Sequence, residues 1–273
     1  MPIALKSNWV LIVCASIIIL LISSTILAPL LTTSSFQKID IERRLHPPSL
    51  KYLLGTDELG RDILSRLLYG GRISFLVSVV VVCLSVVIGV ALGSISALAG
   101  GWMDEVVMRF ADVLLAFPGI LLAIGLMAVL GPSLQNVILA LVSLGWVSYS
   151  RLARSLTLKL KELDFVTASR SLGASFSRIL IRHVLPNMIP ALIVQASFSF
   201  AGVILAESSL SFLGLGVQPP QPSWGNMLSD GKNHLLDAPH LTVFPGMAIF
   251  VSVLTFNLLG DALRDKLDPR FRT

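Results

Sequence analysis

In a chain that is 54% hydrophobic and only 14% charged, an ionisable group inside an apolar stretch needs a physical reason. Glu207 is the clearest case, because it interrupts a run with no other Asp, Glu, Lys or Arg from residue 183 to 229. An ionised carboxylate at mid-bilayer costs about 2.5–3.5 kcal/mol on insertion scales, so Glu207 should face a pore, water or a partner group. Two readings follow: a pathway residue favouring a cationic group, or a carboxylate held by Ser208, Ser211 or a neighbouring helix. Asp112, beside Arg109, is expected to be a helix-end carboxylate stabilised by the macrodipole. The four histidines are His46, His183, His234 and His240. His234 and His240 are spaced too far apart to hold a metal from one helical face, and no metal site is expected. Cys14 and Cys83 both lie in apolar stretches, so neither a disulfide framework nor a metal cluster is implied. The sequence contains no H-E-x-x-H, no G-x-S-x-G and no phosphate-cradling G-x4-G-K-[ST]. Any work done by this protein must draw its energy from elsewhere.

The polar segment DFVTASRSLGASFSRILIRHVLPN, residues 164–187, is organised as helix, glycine hinge, second helix and proline stop. Asp164 can cap a helix over about 165–172, with Ala168 as a small surface residue. Gly173 can supply the left-handed turn that ends it. Ser175 can cap the next helix, whose Phe176, Ile179, Leu180 and Val184 follow helical spacing, and Pro186 then resets the chain. Such a segment fits a docking element for another protein, and it equally fits an amphipathic helix lying on anionic lipid.

These residues must be positioned by membrane helices. Soluble domains are near 25% charged, and the mean hydropathy of this chain is +0.82. Nothing is charged between residues 6 and 38, between 72 and 104, or between 112 and 151. The last stretch is too long for one crossing of roughly 20 residues, and Gly131-Pro132 divides it. Two more apolar stretches, 186–213 and 241–260, complete six predicted spans. The first is long for a signal peptide and lacks an A-x-A site, so a permanent anchor is expected. A pI near 9.5 does not signify nucleic-acid binding, because charge follows topology. Residues 151–186 carry seven Lys or Arg against Glu162 and Asp164, and the tail adds Arg264, Lys266, Arg270 and Arg272. By the positive-inside rule that side, with both termini, faces the cytoplasm. The organisation expected is an end-plus-first-span unit (1–71), a five-span core (72–260) holding the polar loop at about 153–186, and a tail (261–273).

In the outer segment, Gly55-Thr56-Asp57 should start a short amphipathic helix with Leu59, Ile63, Leu64, Leu67 and Leu68 on one side. Gly89, Gly93, Gly125, Ala196 and Gly202 are small enough for close helix approach, and Pro118 should kink the third span. The loop FLGLGVQPPQPSWGNML (212–228) should be ordered and partly re-entrant.

The polar loop resembles the cytoplasmic loop of importer-type ABC permeases, with its pattern E-A-A-x3-G-x9-I-x-L-P. The pattern falls on Thr167-Ala168-Ser169, Gly173 and His183-Val184-Leu185-Pro186. The middle alanine, the glycine, the leucine and the proline match, whereas Thr167, Ser169 and His183 depart from it. The wording D-F-V-x-A-S-R-x-L-G-A-S-x-x-R-I is similar to the dipeptide, oligopeptide and nickel branch. So are LGTDELGRDILSRLLYG (54–70), ESSLSFLGLGVQPPQPSWGNML (207–228) and GDALRDKLDPR (260–270). Within that branch the chain resembles the second permease of the pair.

The resemblance implies an all-α, six-helix permease of the type I importer kind in a bacterial inner membrane. Asp164, Ala168, Gly173, Ala174, Arg178, Leu185 and Pro186 would form the loop that couples it to a cytoplasmic ATPase. Its implied partners are a second homologous permease, two ATP-binding subunits and an extracytoplasmic binding protein, besides membrane lipid. ATP and Mg would bind those partner subunits, and this chain would bind no cofactor. Asp57 and Asp230 are candidates for docking the binding protein. Short peptides are the first expected substrate, and nickel is the alternative. A secondary transporter would instead call for two related halves and several intramembrane ionisable residues.

Overall fold

The computed structural model describes residues 3–32 and 34–267, with side chains from residue 8 onward; Arg270 and Arg272 of the basic tail lie outside them. The helices are α1 (Ile3–Ile26), α2 (Ala28–Leu31), α3 (Ile63–Ala99), α4 (Gly101–Leu115), α5 (Gly119–Leu130), α6 (Leu134–Leu160), α7 (Asp164–Ser171), α8 (Phe176–Ile179), α9 (Leu185–Phe212), α10 (Trp224–Gly231) and α11 (His240–Leu267). Five helical stretches are long and apolar enough to cross a membrane, and α4 with α5 makes a sixth if the bent pair counts as one. Backbone polar groups cannot be left open in hydrocarbon, which is why every candidate span is helical.

The third predicted span is broken at Pro118, the site of its expected kink. The chain bends by 87° between α4 and α5, where Pro118 precedes α5 in an extended conformation. Proline has no N–H to continue the α4 ladder, so the helix must end and restart. The break expected at 131–132 is present: Gly131 is left-handed at φ 83°, and the Ser133 hydroxyl caps α6 by accepting from the Asn136 N–H at 3.1 Å.

The short outer helix and the second span are one helix. α3 has 37 residues and so is about 56 Å long, well beyond the roughly 30 Å of a hydrocarbon layer. Its cap is Asp62, which accepts from the Ser65 N–H at 2.9 Å, and not the Gly55-Thr56-Asp57 turn. Gly70 and Gly71 do not interrupt it. They mark close approach, since a Cβ on Gly71 would lie 2.6 Å from Thr25 and 2.9 Å from the Trp224 ring. The divisions expected at 71/72 and 260/261 therefore fall inside α3 and α11.

The body of the bundle is the α3–α6 pair. A Cβ on Gly89 would lie 2.4 Å from the Trp146 carbonyl oxygen, and one on Gly93 2.1 Å from that of Ser150. The two backbones thus touch where only glycine fits. Val77 and Val81 of α3 then meet Ala123 and Met127 of α5, Val137, Ala140 and Leu141 of α6, and Leu210 of α9 in one core. Gly125 and Gly202, also expected at contacts, have open space where a Cβ would stand.

Glycine-to-alanine in a helix interior normally gains about 0.5–1 kcal/mol. Gly125→Ala should show that gain, whereas Gly93→Ala should cost about 1–3 kcal/mol through overpacking. Thermal unfolding of the purified protein in detergent checks this, and equal shifts for the two variants would refute the glycine seam.

Candidate functional site

The polar loop begins where α6 ends. Lys161 caps α6, and its ammonium donates to the Ala97 carbonyl at 3.3 Å, pinning the loop to the end of α3. Asp164 is not the cap of α7. Leu163 takes that position without a side-chain bond, and Asp164 sits in the first turn, where the helix dipole favours a negative charge. Ala168 is exposed on α7 and Val166 is fully buried beneath it. Gly173 is left-handed at φ 83°. Its N–H donates to the Arg170 carbonyl at 2.9 Å, and the Ala174 N–H donates to that of Ser169 at 3.1 Å. This pair of reversed bonds closes the C-terminus of α7. The Ser175 hydroxyl caps α8 by accepting from the Arg178 N–H at 3.4 Å, as its position predicted.

Pro186 does not stop the chain. Helical structure is continuous over Phe176–Phe212, because the turn Leu180–Val184 is a π-turn. There the Leu185 N–H donates to the Leu180 carbonyl, five residues back. This wider turn accommodates the position just before a proline that cannot donate. Leu185 and Pro186 accordingly open α9 without separating it from α8. The second surface helix is the end of a membrane span.

The first surface helix is bonded to that same span. The Ser169 hydroxyl lies 3.2 Å from Nε2 of His183, and the Phe165 and His183 rings are 5.9 Å apart. Val166, Ile179, Val184 and Met188 pack together with Val90 of α3 and Ala153 of α6. Ala174 borders this cluster. On the outward side, Leu172 is 89% exposed, and Leu163, Phe165 and Phe176 are also exposed, interleaved with exposed Arg170 and Arg178. An apolar patch with a basic rim suits a protein partner.

At the opposite end of α3, Asp57 and Asp230 come together through two arginines. Asp57 is 3% exposed. It accepts from the Leu59 and Arg61 N–H groups at 2.9 Å each and from Arg61 Nε at 2.7 Å, and it is paired with Arg66. So enclosed, it cannot touch a docking partner, and its role in docking is at most indirect. Asp230 of α10 lies 3.3 Å from Arg66 and 3.8 Å from Arg61. It is half-buried on the wall of a cavity of about 330 Å³ shared with Glu58 and Gln221. Burial pushes its carboxyl up from the ordinary range, against the pull of Arg66 and then Arg61. The loop carrying Asp230 is ordered: α10 tucks in with Trp224 buried, its Nε1 donating to the Leu67 carbonyl at 2.9 Å.

Glu207 faces no open pathway in this chain. It is 1% exposed and accepts from Ser74 at 2.8 Å and Ser211 at 2.7 Å, tying α3 to α9. Its reading as a pathway residue gives way to that of a buried, hydroxyl-bonded carboxylate. Asp112 pairs with Arg151 of α6 and lies near the C-terminus of α4, where the dipole disfavours it; the pairing replaces the expected dipole. His234 lies 3.5 Å from Glu58, and His240 Nε2 3.4 Å from the Thr56 carbonyl oxygen, so the two histidines serve different contacts.

Residues 89–273 match the family of binding-protein-dependent transport system inner membrane components. This chain belongs to that family. The permease is 43% identical over 269 residues to the dipeptide transport system permease protein of Alkalihalophilus pseudofirmus, covering 98% of this chain and 88% of the relative. It is 45% identical over 234 residues to a glutathione transport system permease protein of Pectobacterium atrosepticum, covering 86% and 78%. A putative peptide transport system permease protein of Brucella suis is 43% identical over 259 residues, covering 94% and 86%. The chain is thus an all-α inner-membrane permease of the ABC importer class, and the polar loop lies within the matched residues.

Asp57→Asn should cost about 3–5 kcal/mol, because it removes the buried partner of Arg66 and leaves that guanidinium only the half-buried Asp230. Asp230→Asn should change stability by about 1 kcal/mol or less, its ion pairs being partly screened. Since its carboxyl is raised in the fold, the stability Asp230 contributes is present at low pH and lost as pH rises through its folded-state pKa. Unfolding measured across pH should show that loss in the wild type and not in Asp230→Asn.

Proposed function

We propose that this permease is the second of a pair of transmembrane subunits forming the conduit of an ATP-driven importer of short peptides. The loop at 164–186 faces the cytoplasm and docks on one of two ATP-binding subunits, which hold ATP and Mg. A binding protein delivers substrate to the opposite face, around Asp230 and the loop that carries it. Substrate class rests on the relatives, named for dipeptide, peptide and glutathione transport, glutathione being itself a small peptide. Orientation rests on the positive-inside rule applied to the basic loop and tail.

The single observation that carries the coupling mechanism is the unbroken helix Phe176–Phe212. A docking helix that is one piece with a membrane span converts displacement of the ATPase into tilt of that span. α7, fixed to it through Ser169 and His183, adds a second contact on the same lever. Closure of the ATPase thereby alternates access to the conduit from the two sides, the form of motion expected when packed helices rock as bodies.

The test is ATP-dependent uptake by the complete complex, with its binding protein, in proteoliposomes. The wild type should accumulate a dipeptide and not nickel. Gly173→Pro should abolish most uptake while the complex still assembles and hydrolyses ATP, since proline cannot adopt φ 83°. Unchanged uptake by this variant would remove the loop from coupling. Uptake without ATP would overturn the importer reading, and uptake of nickel alone would overturn the substrate.

A further inference from the structure

A groove of about 590 Å³ opens between α6, α9 and α11 on the loop side of the bundle. Much of its wall is apolar, including Pro190, Val194 and Phe198, but three polar side chains reach it: Asn187, Gln195 and Arg264. Asn187 donates to the His183 carbonyl at 2.7 Å, which leaves its oxygen open. Neither Gln195 nor Arg264 has a side-chain hydrogen bond or ion pair among the described residues, although Asp261 and Asp265 are close in sequence on α11.

Gln195 lies well inside α9 (Leu185–Phe212), about 15 Å from its loop-side end. That places it near the middle of a hydrocarbon layer roughly 30 Å thick. An amide facing lipid tails there would be left unsatisfied, so the face bearing it belongs against water or a polar partner. An apolar trough with two side-chain amides and a guanidinium matches a short peptide: side chains against the apolar wall, main chain on the amides, carboxylate on the guanidinium.

We infer that this groove is the cytoplasmic mouth of the conduit, and that Arg264 binds the free α-carboxylate of a peptide leaving it while Gln195 binds the peptide amide. The inference rests on the peptide-importer reading above and extends it to a substrate-contacting site.

Inhibition of transport from the cytoplasmic side tests the site without involving recognition by the binding protein. The complete complex would be placed in proteoliposomes with its ATPase face accessible. With binding protein and labelled dipeptide enclosed in the lumen, an unlabelled dipeptide or its C-terminal amide would be added on that face during ATP-driven transport out of the vesicle. In the wild type the dipeptide should inhibit about tenfold more tightly than its amide, a difference of about 1.4 kcal/mol. Arg264→Gln should abolish the difference and Arg264→Lys should keep most of it. Gln195→Leu should weaken inhibition by both ligands alike. Equal inhibition by the two ligands in the wild type, or an unchanged preference in Arg264→Gln, would overturn the assignment. So would an effect of Arg264→Gln that follows the anionic lipid content of the vesicles and not the ligand, which would make the groove a lipid site. Absence of any ATP-dependent peptide transport by the wild type would instead overturn the functional reading itself.

Discussion

The contact on which the molecule depends is the glycine seam between α3 and α6, where Gly89 and Gly93 rest on the Trp146 and Ser150 carbonyls. In a bilayer, apolar side chains gain little by leaving lipid for one another, so association relies on close packing. The seam brings the two longest-packed helices together and fixes what stands at either end of them. At one end, Val90 and Ala153 form the floor on which Val166, Ile179 and Val184 of the loop are seated. At the other, the α3 extension carries Arg66 into contact with Asp57 and Asp230.

The same seam makes the loop a lever. A surface helix joined by flexible chain would absorb displacement. α8 cannot, because it continues through a π-turn into α9, while α7 is tied to that turn by Ser169 and His183. The remainder of the bundle supplies something for the lever to tilt against. α9 is held to α3 by the bond from Ser74 to Glu207, whose second oxygen is occupied by Ser211 of α9 itself, and α10 packs so closely on α9 that a Cβ on Gly225 would lie 2.2 Å from the Ser208 carbonyl oxygen. Buried hydrogen bonds of this kind specify one arrangement of helices, because any other leaves a carboxylate unsatisfied.

Much of this is legible in the sequence where the physics is local. Charge-free stretches locate the apolar helices, Gly173 and Ser175 announce a left-handed turn and a cap, and the break at Gly131 follows from its neighbours. What is not legible is non-local. The division drawn at 71/72 hides a continuous helix, and only the Trp224 ring packed against Gly71 reveals a close approach there. Pro186 looks like a stop until a π-turn removes the conflict. Asp57 reads as an exposed acid because nothing nearby in sequence tells that Arg66 folds over it, and Glu207 keeps two readings, pathway group or hydroxyl-bonded carboxylate, because its partner Ser74 lies on a different helix. Thr167, Ser169 and His183 depart from the general loop pattern, yet two of them touch in space, so a pairwise contact replaces the usual residues.

The central claim is that the loop moves as one body with α9, and a distance within the chain tests it most directly. Spin labels at Ser171 on α7 and Ile193 on α9, both exposed, would be measured by pulsed dipolar spectroscopy in the assembled importer, at rest and with nucleotide trapped. The account predicts one narrow distance distribution that is the same in both states. A shift of about 5 Å, one helical turn, or a broadening on nucleotide binding would show that the loop flexes independently of the span and would contradict it.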